Sequence, residues 1–91
     1  MRKEELRTYI ENHESEMIED LKSLIRIPSE KQAAEPGKPF GAPAAEALAQ
    51  GISILEKYGF SVTNYDNYAI AADFHQEEKG LDILAHLDVV P

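Results

Sequence analysis

The sequence contains no cysteine and no tryptophan, and basic residues are few for its length. Without cysteine, a disulfide framework, a thiolate metal site and a cysteine nucleophile are all excluded. Any metal ion must therefore be bound by histidine and carboxylate side chains. The 9 basic residues stand against 17 acidic ones, which gives a net charge of −8. A chain with this charge is a poor partner for nucleic acid or for an anionic membrane surface.

Long apolar runs are also missing. No stretch approaches the roughly 20 apolar residues that are needed to cross a bilayer. The N-terminal sequence MRKEELRTYIENHESEM lacks the apolar centre of a signal peptide. The sequence therefore predicts a cytoplasmic protein without a membrane segment. At 91 residues the chain has the size of one small domain or of a piece of a larger one, and its 43% of apolar residues favours a folded chain.

Two helices are predicted in the first part of the chain. Apolar residues recur at steps of three and four between residues 3 and 27, which is the spacing of one helix face. The pattern thins at ENHES (11–15), so one long helix and two short ones both remain possible. Pro28 ends this helix, because the residue before a proline disfavours the helical conformation. A loop rich in proline and glycine over 28–42 then leads to a second helix that begins at Pro43.

Three strands are predicted after the second helix. The segments FSVTNY (60–65) and YAIAADFH (68–75) are separated by two residues, which is typical of an antiparallel hairpin. A charged turn over 76–80 follows. The run LDILAHLDVV (81–90) is apolar on both faces, which predicts a strand that is covered on both sides. The predicted fold class is α/β, with two N-terminal helices, a β-hairpin and a buried central strand.

The position of this last strand bears on the domain organisation. A central strand needs neighbours and a covering layer that the other predicted elements do not supply. We therefore interpret residues 1–91 as the N-terminal, incomplete part of a larger domain with a mixed sheet. The alternative is a complete small domain whose last strand lies at a sheet edge, where so apolar a strand promotes aggregation. Such a chain would be a non-enzymatic interaction module that associates with itself or a partner through this strand.

The last predicted strand carries two titratable side chains, His86 and Asp88. Residues two apart in a strand point to the same face, so these side chains are predicted to lie side by side. A neutral imidazole at the carboxyl end of a strand is a suitable zinc ligand, and a neighbouring carboxylate can hold the ring in one tautomer. An imidazole paired with a carboxylate can also be purely structural. The spacing alone therefore leaves both a metal site and a structural pair open.

Four segments, taken in order, resemble the two-zinc metallopeptidases, a family that includes aminoacylases, glutamate-releasing carboxypeptidases and carnosinase-like dipeptidases. HLDVVP (86–91) resembles the signature that opens the active site of that family. LIRIPSE (24–30) resembles the end of its first helix. PFGAPAAEALAQGISILEKYGF (39–60) and NYDNYAIAADF (64–74) resemble the second helix and the hairpin of its bacterial dipeptidase branch.

The resemblance implies a role for two residues and a function for the whole protein. His86 matches a histidine that binds one of two zinc ions, and Asp88 matches a catalytic-site aspartate that hydrogen-bonds this histidine. The family's other ligands and its glutamate base follow the signature, so they are not among these 91 residues. The chain is therefore expected to be an inactive N-terminal fragment of the catalytic domain of a zinc-dependent dipeptidase, which hydrolyses short peptides.

Other interpretations of the fragment remain open. The alternative is a parent protein that is a deacylase of N-acyl amino acids from the same family, although the second helix and the hairpin favour a dipeptidase. Its substrate is therefore expected to be a dipeptide or an N-acyl amino acid. The fragment itself is expected to pair with the rest of its domain or to self-associate.

Overall fold

The computed structural model describes residues 2–75 and 80–91. It contains four elements: α1 (Lys3–Ile25), α2 (Ala42–Lys57), β1 (Ser61–Tyr65) and β2 (Ala69–Asp73). Two helices followed by an antiparallel hairpin confirm the predicted mixed α/β fold class. Of the predicted turn over 76–80, residues 76–79 lie outside the described residues. Neither of the two described helices is long and apolar enough to cross a membrane.

Helix α1 is a single helix of 23 residues, so the thin part of its apolar pattern does not divide it. It ends at Ile25, shortly before Pro28, as the restriction on residues that precede proline predicts. Its apolar stripe, however, is not covered, because α1 contacts only α2 among the described elements. No residue of α1 is buried. The exposed apolar side chains of this helix are Leu6, Tyr9, Ile10, Met17, Ile18, Leu21 and Ile25.

Helix α2 begins at Ala42, one residue before the predicted Pro43. The residue before it, Gly41, has a φ of 93° and is buried. A Cβ atom at this position would lie 2.7 Å from the Cβ atom of Gln32. Only glycine satisfies both the positive φ and this close approach. Within α2 the buried residues are Ala47 and Gly51, and their small size lets other elements approach the helix closely.

Polar side chains join the two helices. Lys57 Nζ lies 2.6 Å from Asp20 Oδ1, and Gln50 donates a 3.0 Å hydrogen bond to the Ser23 hydroxyl. The Tyr58 hydroxyl, just after α2, lies 2.5 Å from Asp20 Oδ2. The interface therefore depends on hydrogen bonds and charge.

Strands β1 and β2 are antiparallel, with Val62 opposite Ala72 and Tyr65 opposite Ala69. The turn between them places Asp66 and Asn67 at φ values of 54° and 62°. Positive φ at both central residues is the requirement of a type I′ turn, and aspartate and asparagine tolerate it. This confirms the hairpin that the sequence predicts. One face of the hairpin, including Val62, is half-buried, and the other is exposed.

The run 81–90 is not the buried strand that its composition predicts. Its only described strand-type pairing is a single parallel bridge between Glu30 and Val89. Its apolar side chains are largely exposed, and Leu84 is 98% exposed. Leu87 is the one half-buried residue of this run. The prediction of a covered strand is wrong for these residues, because no described element lies against both faces of the run.

Candidate functional site

His86 and Asp88 contact each other through one ring nitrogen of the histidine. His86 Nδ1 lies 3.1 Å from the main-chain carbonyl oxygen of Asp88. The same nitrogen lies 3.2 Å from Asp88 Oδ1. The predicted proximity of the two side chains is therefore present in the structure. Both neighbours of Nδ1 belong to Asp88, so the contact is made within a three-residue segment.

The chemistry of these contacts determines the tautomer of the neutral ring. A carbonyl oxygen and a carboxylate oxygen are both acceptors, so Nδ1 must carry the hydrogen and donate it. The lone pair of the neutral imidazole is then on Nε2. An imidazole whose Nδ1–H donates to a carboxylate or a carbonyl is the usual form of a histidine that binds a metal through Nε2. The arrangement is thus suited to one metal ligand.

The environment of the pair differs from the predicted one. The side chains of His86 and Asp88 are 83% and 64% exposed, whereas the sequence predicts that both lie in a buried strand. The difference has the same cause as the exposure of the whole run, since no described element covers this face. Both side chains are consequently accessible to a ligand or to another polypeptide segment.

Ser29 fixes the main chain between the two side chains. Its hydroxyl donates a 2.8 Å hydrogen bond to the carbonyl oxygen of Leu87. Its own carbonyl oxygen accepts a 3.2 Å hydrogen bond from the Val89 N–H. Ser29 is 2% exposed, so water does not compete for these bonds. Ser29 thereby holds the main chain from Leu87 to Val89, which includes Asp88 and directly follows His86.

Leu87 anchors the same segment from the opposite side. Its Cδ1 atom lies 3.0 Å from the position of a Cβ atom on Gly51, and Ile70 Cδ1 lies 3.7 Å from that position. Leu87 therefore packs at the surface where α2 and β2 meet. The alternation of an extended chain then directs His86 and Asp88 away from this surface.

The described residues do not complete a metal site. Among residues 2–75 and 80–91, no group of three or more histidine, aspartate or glutamate side chains could hold an ion. A zinc site uses roughly three or four protein ligands. His13 is engaged within its own helix, where its ring stacks on that of Tyr9 with centroids 4.0 Å apart. Of the predicted site residues, the structure thus brings His86 and Asp88 together and adds no further ligand to them.

Ser29 has no assigned role in the sequence-based prediction. A single serine after a proline is common in loops, and its partner Leu87 is 58 residues away. The sequence features next to Ser29 are the apolar Ile27 and Pro28, which ends the helix. They indicate that Ser29 lies on the inner side of the loop. They do not identify the carbonyl group that the serine binds.

Comparison with known proteins relates the chain to bacterial dipeptidases. It is 33% identical over 78 residues to the protein named "Putative dipeptidase YtjP" of Bacillus subtilis, a match that covers 84% of this chain and 17% of that protein. It is 34% identical over 77 residues to the "Beta-Ala-Xaa dipeptidase" of Lactobacillus delbrueckii subsp. lactis, covering 82% of this chain and 16% of the relative. The chain is a homologue of these bacterial dipeptidases.

A third homologue is the protein named "Putative dipeptidase" of Staphylococcus epidermidis. It is 37% identical over 81 residues, which cover 87% of this chain and 17% of that protein. The chain thus spans about a sixth of the length of the curated relatives it matches. No family model matches the sequence. No solved structure matches it either.

Proposed function

We propose that these residues are the N-terminal part of the catalytic domain of a cytoplasmic dipeptidase that hydrolyses the peptide bond of short peptides. The observation that carries the proposal is the His86–Asp88 contact, with Nδ1 of the ring directed at two acceptors. The dipeptidase names of three homologues support the same reaction class. The absence of cysteine fits an active site that uses histidine and carboxylates.

In this proposal His86 binds a zinc ion through Nε2, and Asp88 holds the ring in the required tautomer and orientation. Zinc, when bound, lowers the pKa of a water molecule and polarises the scissile carbonyl group. Ser29 and Leu87 supply the fixed main chain that carries the pair. The carboxylate of Asp88 also makes the ring of His86 a stronger electron donor, as outer carboxylates do for other zinc-binding histidines.

The described residues fit this role for one ligand and do not supply the others. His86 offers a neutral nitrogen donor, and the remaining ligands of a two-zinc site would come from residues outside the 91 of this chain. We therefore expect the 91 residues by themselves to be inactive, since one histidine cannot hold a zinc ion in a catalytic geometry. Dipeptide hydrolysis by the purified 91-residue chain that a chelator abolishes would contradict this expectation.

Substitution in the full-length protein tests the assignment of the two residues. His86→Ala removes a metal ligand, so both zinc content and dipeptide hydrolysis should be lost at the site. Asp88→Ala leaves the ligand but releases the ring, so zinc should be retained while the rate falls about 10- to 100-fold. Zinc content is measured by elemental analysis and the rate by release of free amino acids.

His13→Ala is a matched control for these substitutions, because it removes a histidine that is stacked on Tyr9 in α1. This variant should keep both its zinc and its activity. Normal zinc content and normal activity in both His86→Ala and Asp88→Ala would show that the site lies elsewhere.

The choice between dipeptides and N-acyl amino acids concerns the substrate of the same chemistry. A panel of dipeptides and N-acyl amino acids, given to the full-length protein, measures the preference directly. We expect higher kcat/KM values for dipeptides, because the three homologues carry dipeptidase names. A consistent preference for N-acyl amino acids would instead assign the protein to the deacylases.

A further inference from the structure

We propose that Ser29 is a positioning residue of this site, which acts on metal binding through the main chain of residues 87–89. This inference rests on the proposed function. It adds a residue that lies outside the resemblance to the active-site signature at residues 86–91.

Ser29 makes two hydrogen bonds to residues on both sides of Asp88. The hydroxyl binds the carbonyl oxygen of Leu87 at 2.8 Å, and the Ser29 carbonyl oxygen accepts the Val89 N–H at 3.2 Å. Rotation of the main chain at Asp88 would break at least one of them. The Asp88 carbonyl oxygen, which lies 3.1 Å from His86 Nδ1, is therefore held in the direction that receives the ring hydrogen.

The surroundings of Ser29 and of the run 81–90 explain why the hydrogen bonds of Ser29 are important for the orientation of this run. Ser29 is the one buried polar side chain among the described residues. The run that it holds is otherwise exposed, with Leu84 and Val90 at 98% and 85% exposure. Packing therefore contributes little to the orientation of this run beyond Leu87. The position of the His86 ring depends on the bonds that Ser29 makes.

The loop that carries Ser29 is itself held tightly. The Ser29 N–H donates a 2.8 Å hydrogen bond to the Ile27 carbonyl oxygen, and Glu30 N–H donates a 2.9 Å bond to the carbonyl oxygen of Pro28. Ile27 is buried, and Pro28 has a restricted φ. Ser29 therefore approaches the site from a constrained segment, which is what a positioning group requires.

The experiment compares zinc affinity, kcat and KM in full-length variants. Ser29→Ala should weaken zinc binding about 10- to 100-fold, the range seen when outer hydrogen-bonding partners are removed. The fall in activity should be in kcat rather than KM, because Ser29 is buried and acts through the main chain of residues 87–89. Zinc affinity is measured by competition with a chelator, so it does not depend on activity.

Ser23→Ala is the matched control. It removes the hydroxyl of a part-buried serine that binds Gln50 and lies at the α1–α2 interface. This variant should lose stability but keep its zinc affinity and kcat. If Ser29→Ala weakens zinc binding no more than Ser23→Ala does, the hydroxyl has only a structural role and the proposal is overturned.

A double substitution tests whether Ser29 acts through His86. Any zinc affinity that remains in His86→Ala should not fall further when Ser29→Ala is added, because effects that act through the same residue are not additive. Additive losses would overturn the proposal. If His86→Ala alone keeps its normal zinc affinity, the proposed function itself fails. If His86→Ala loses zinc and Ser29→Ala does not, only the inference on Ser29 fails.

Hydrogen exchange in the unaltered full-length protein covers the case in which Ser29→Ala does not fold. The Val89 amide should be protected from exchange in the metal-free protein, because its acceptor is the Ser29 carbonyl oxygen. Protection that appears only after zinc is added would show that the metal, rather than Ser29, orders the segment. That result would overturn the proposal.

Discussion

At the residue scale, the candidate site combines one contact that is local in sequence with one that is not. His86 and Asp88 are two residues apart, and their contact needs only an extended chain between them. Ser29 lies 58 residues from Leu87, and α2 and the hairpin lie between them in the sequence. The local contact sets the tautomer of the imidazole. The distant one sets the position of the ring relative to the rest of the protein.

A second residue-scale feature is Gly41, which permits a prediction. Gly41→Ala should lower the free energy of unfolding by at least about 1–3 kcal/mol, because the φ of 93° and ψ of 169° of Gly41 lie in a region that is essentially restricted to glycine. The added Cβ atom would lie 2.7 Å from Gln32 Cβ, so crowding adds to the backbone strain. Urea unfolding followed by circular dichroism measures the change.

Gly59→Ala is the control for a positive φ without a close neighbour. Gly59 has a φ of 89°, similar to that of Gly41, and a Cβ atom added to it would have no neighbour within 4 Å. Its substitution should cost about 1–2 kcal/mol and no more. Equal losses in the two variants would contradict the prediction for Gly41→Ala.

At the element scale, a charged cluster couples α1 to α2. The Lys57 ammonium group donates a hydrogen bond to Asp20, and the Tyr58 hydroxyl donates another, so the pKa of Asp20 is lowered. The same bond to Asp20 raises the pKa of Tyr58, with smaller contributions from desolvation and from Glu16. The cluster thus stabilises the carboxylate of Asp20 and the neutral form of Tyr58.

These shifts predict how stability changes with pH. The contribution of Asp20 is present above its unfolded pKa of 3.8 and is lost as the pH falls through its lowered folded pKa. The contribution of Tyr58 is present below its unfolded pKa of 10.0 and is lost as the pH rises above that value. Urea unfolding at a series of pH values should therefore show a stability plateau with a small decline at each end.

Tyr58→Phe should remove the contribution of Tyr58 to the alkaline decline and leave a smaller acid decline, because the Asp20–Lys57 pair remains while the hydrogen bond from Tyr58 to Asp20 is lost. Tyr65→Phe is the control, since Tyr65 is an exposed tyrosine at the end of β1. If the stability of Tyr58→Phe declines at high pH by the same amount as that of the unaltered protein, groups other than Tyr58 cause the decline.

At the scale of the whole molecule, the small buried core stands out. Among the described residues, the buried apolar side chains are Ile27 and Ala47. Small domains already bury a smaller share of their surface than large ones. The stripe on α1 and the run 81–90 present two apolar surfaces to solvent. The homologues are about six times as long as the matched segment, so the proposed longer protein has residues that could cover both surfaces.

This exposure predicts that the isolated 91-residue chain associates with itself and binds an apolar dye such as anilinonaphthalene sulfonate. The full-length protein should bind the dye weakly, because its additional residues cover the same surfaces. Sedimentation at a series of concentrations measures the association. A monomer at high concentration without dye binding would contradict the prediction. A stable, zinc-independent oligomer of a protein without peptidase activity would instead support the interaction module.

The sequence by itself determined the two helices, the hairpin and the local part of the site. The end of α1 before Pro28, the start of α2 near Pro43 and the turn at Asp66 and Asn67 follow from the conformational limits of those residues. The proximity of His86 and Asp88 follows from the period of an extended chain. Each of these features depends on residues that are neighbours along the chain, so the sequence pattern contains the information.

Only the tertiary structure decided which apolar surfaces are covered and what holds the site in place. The run 81–90 has the composition of a buried strand, yet burial depends on whether another element lies against it, and none of the described elements does so on both faces. The role of Ser29 likewise depends on a carbonyl group 58 residues away. Packing and long-range hydrogen bonds are properties of the assembled chain, and composition and periodicity do not specify their partners.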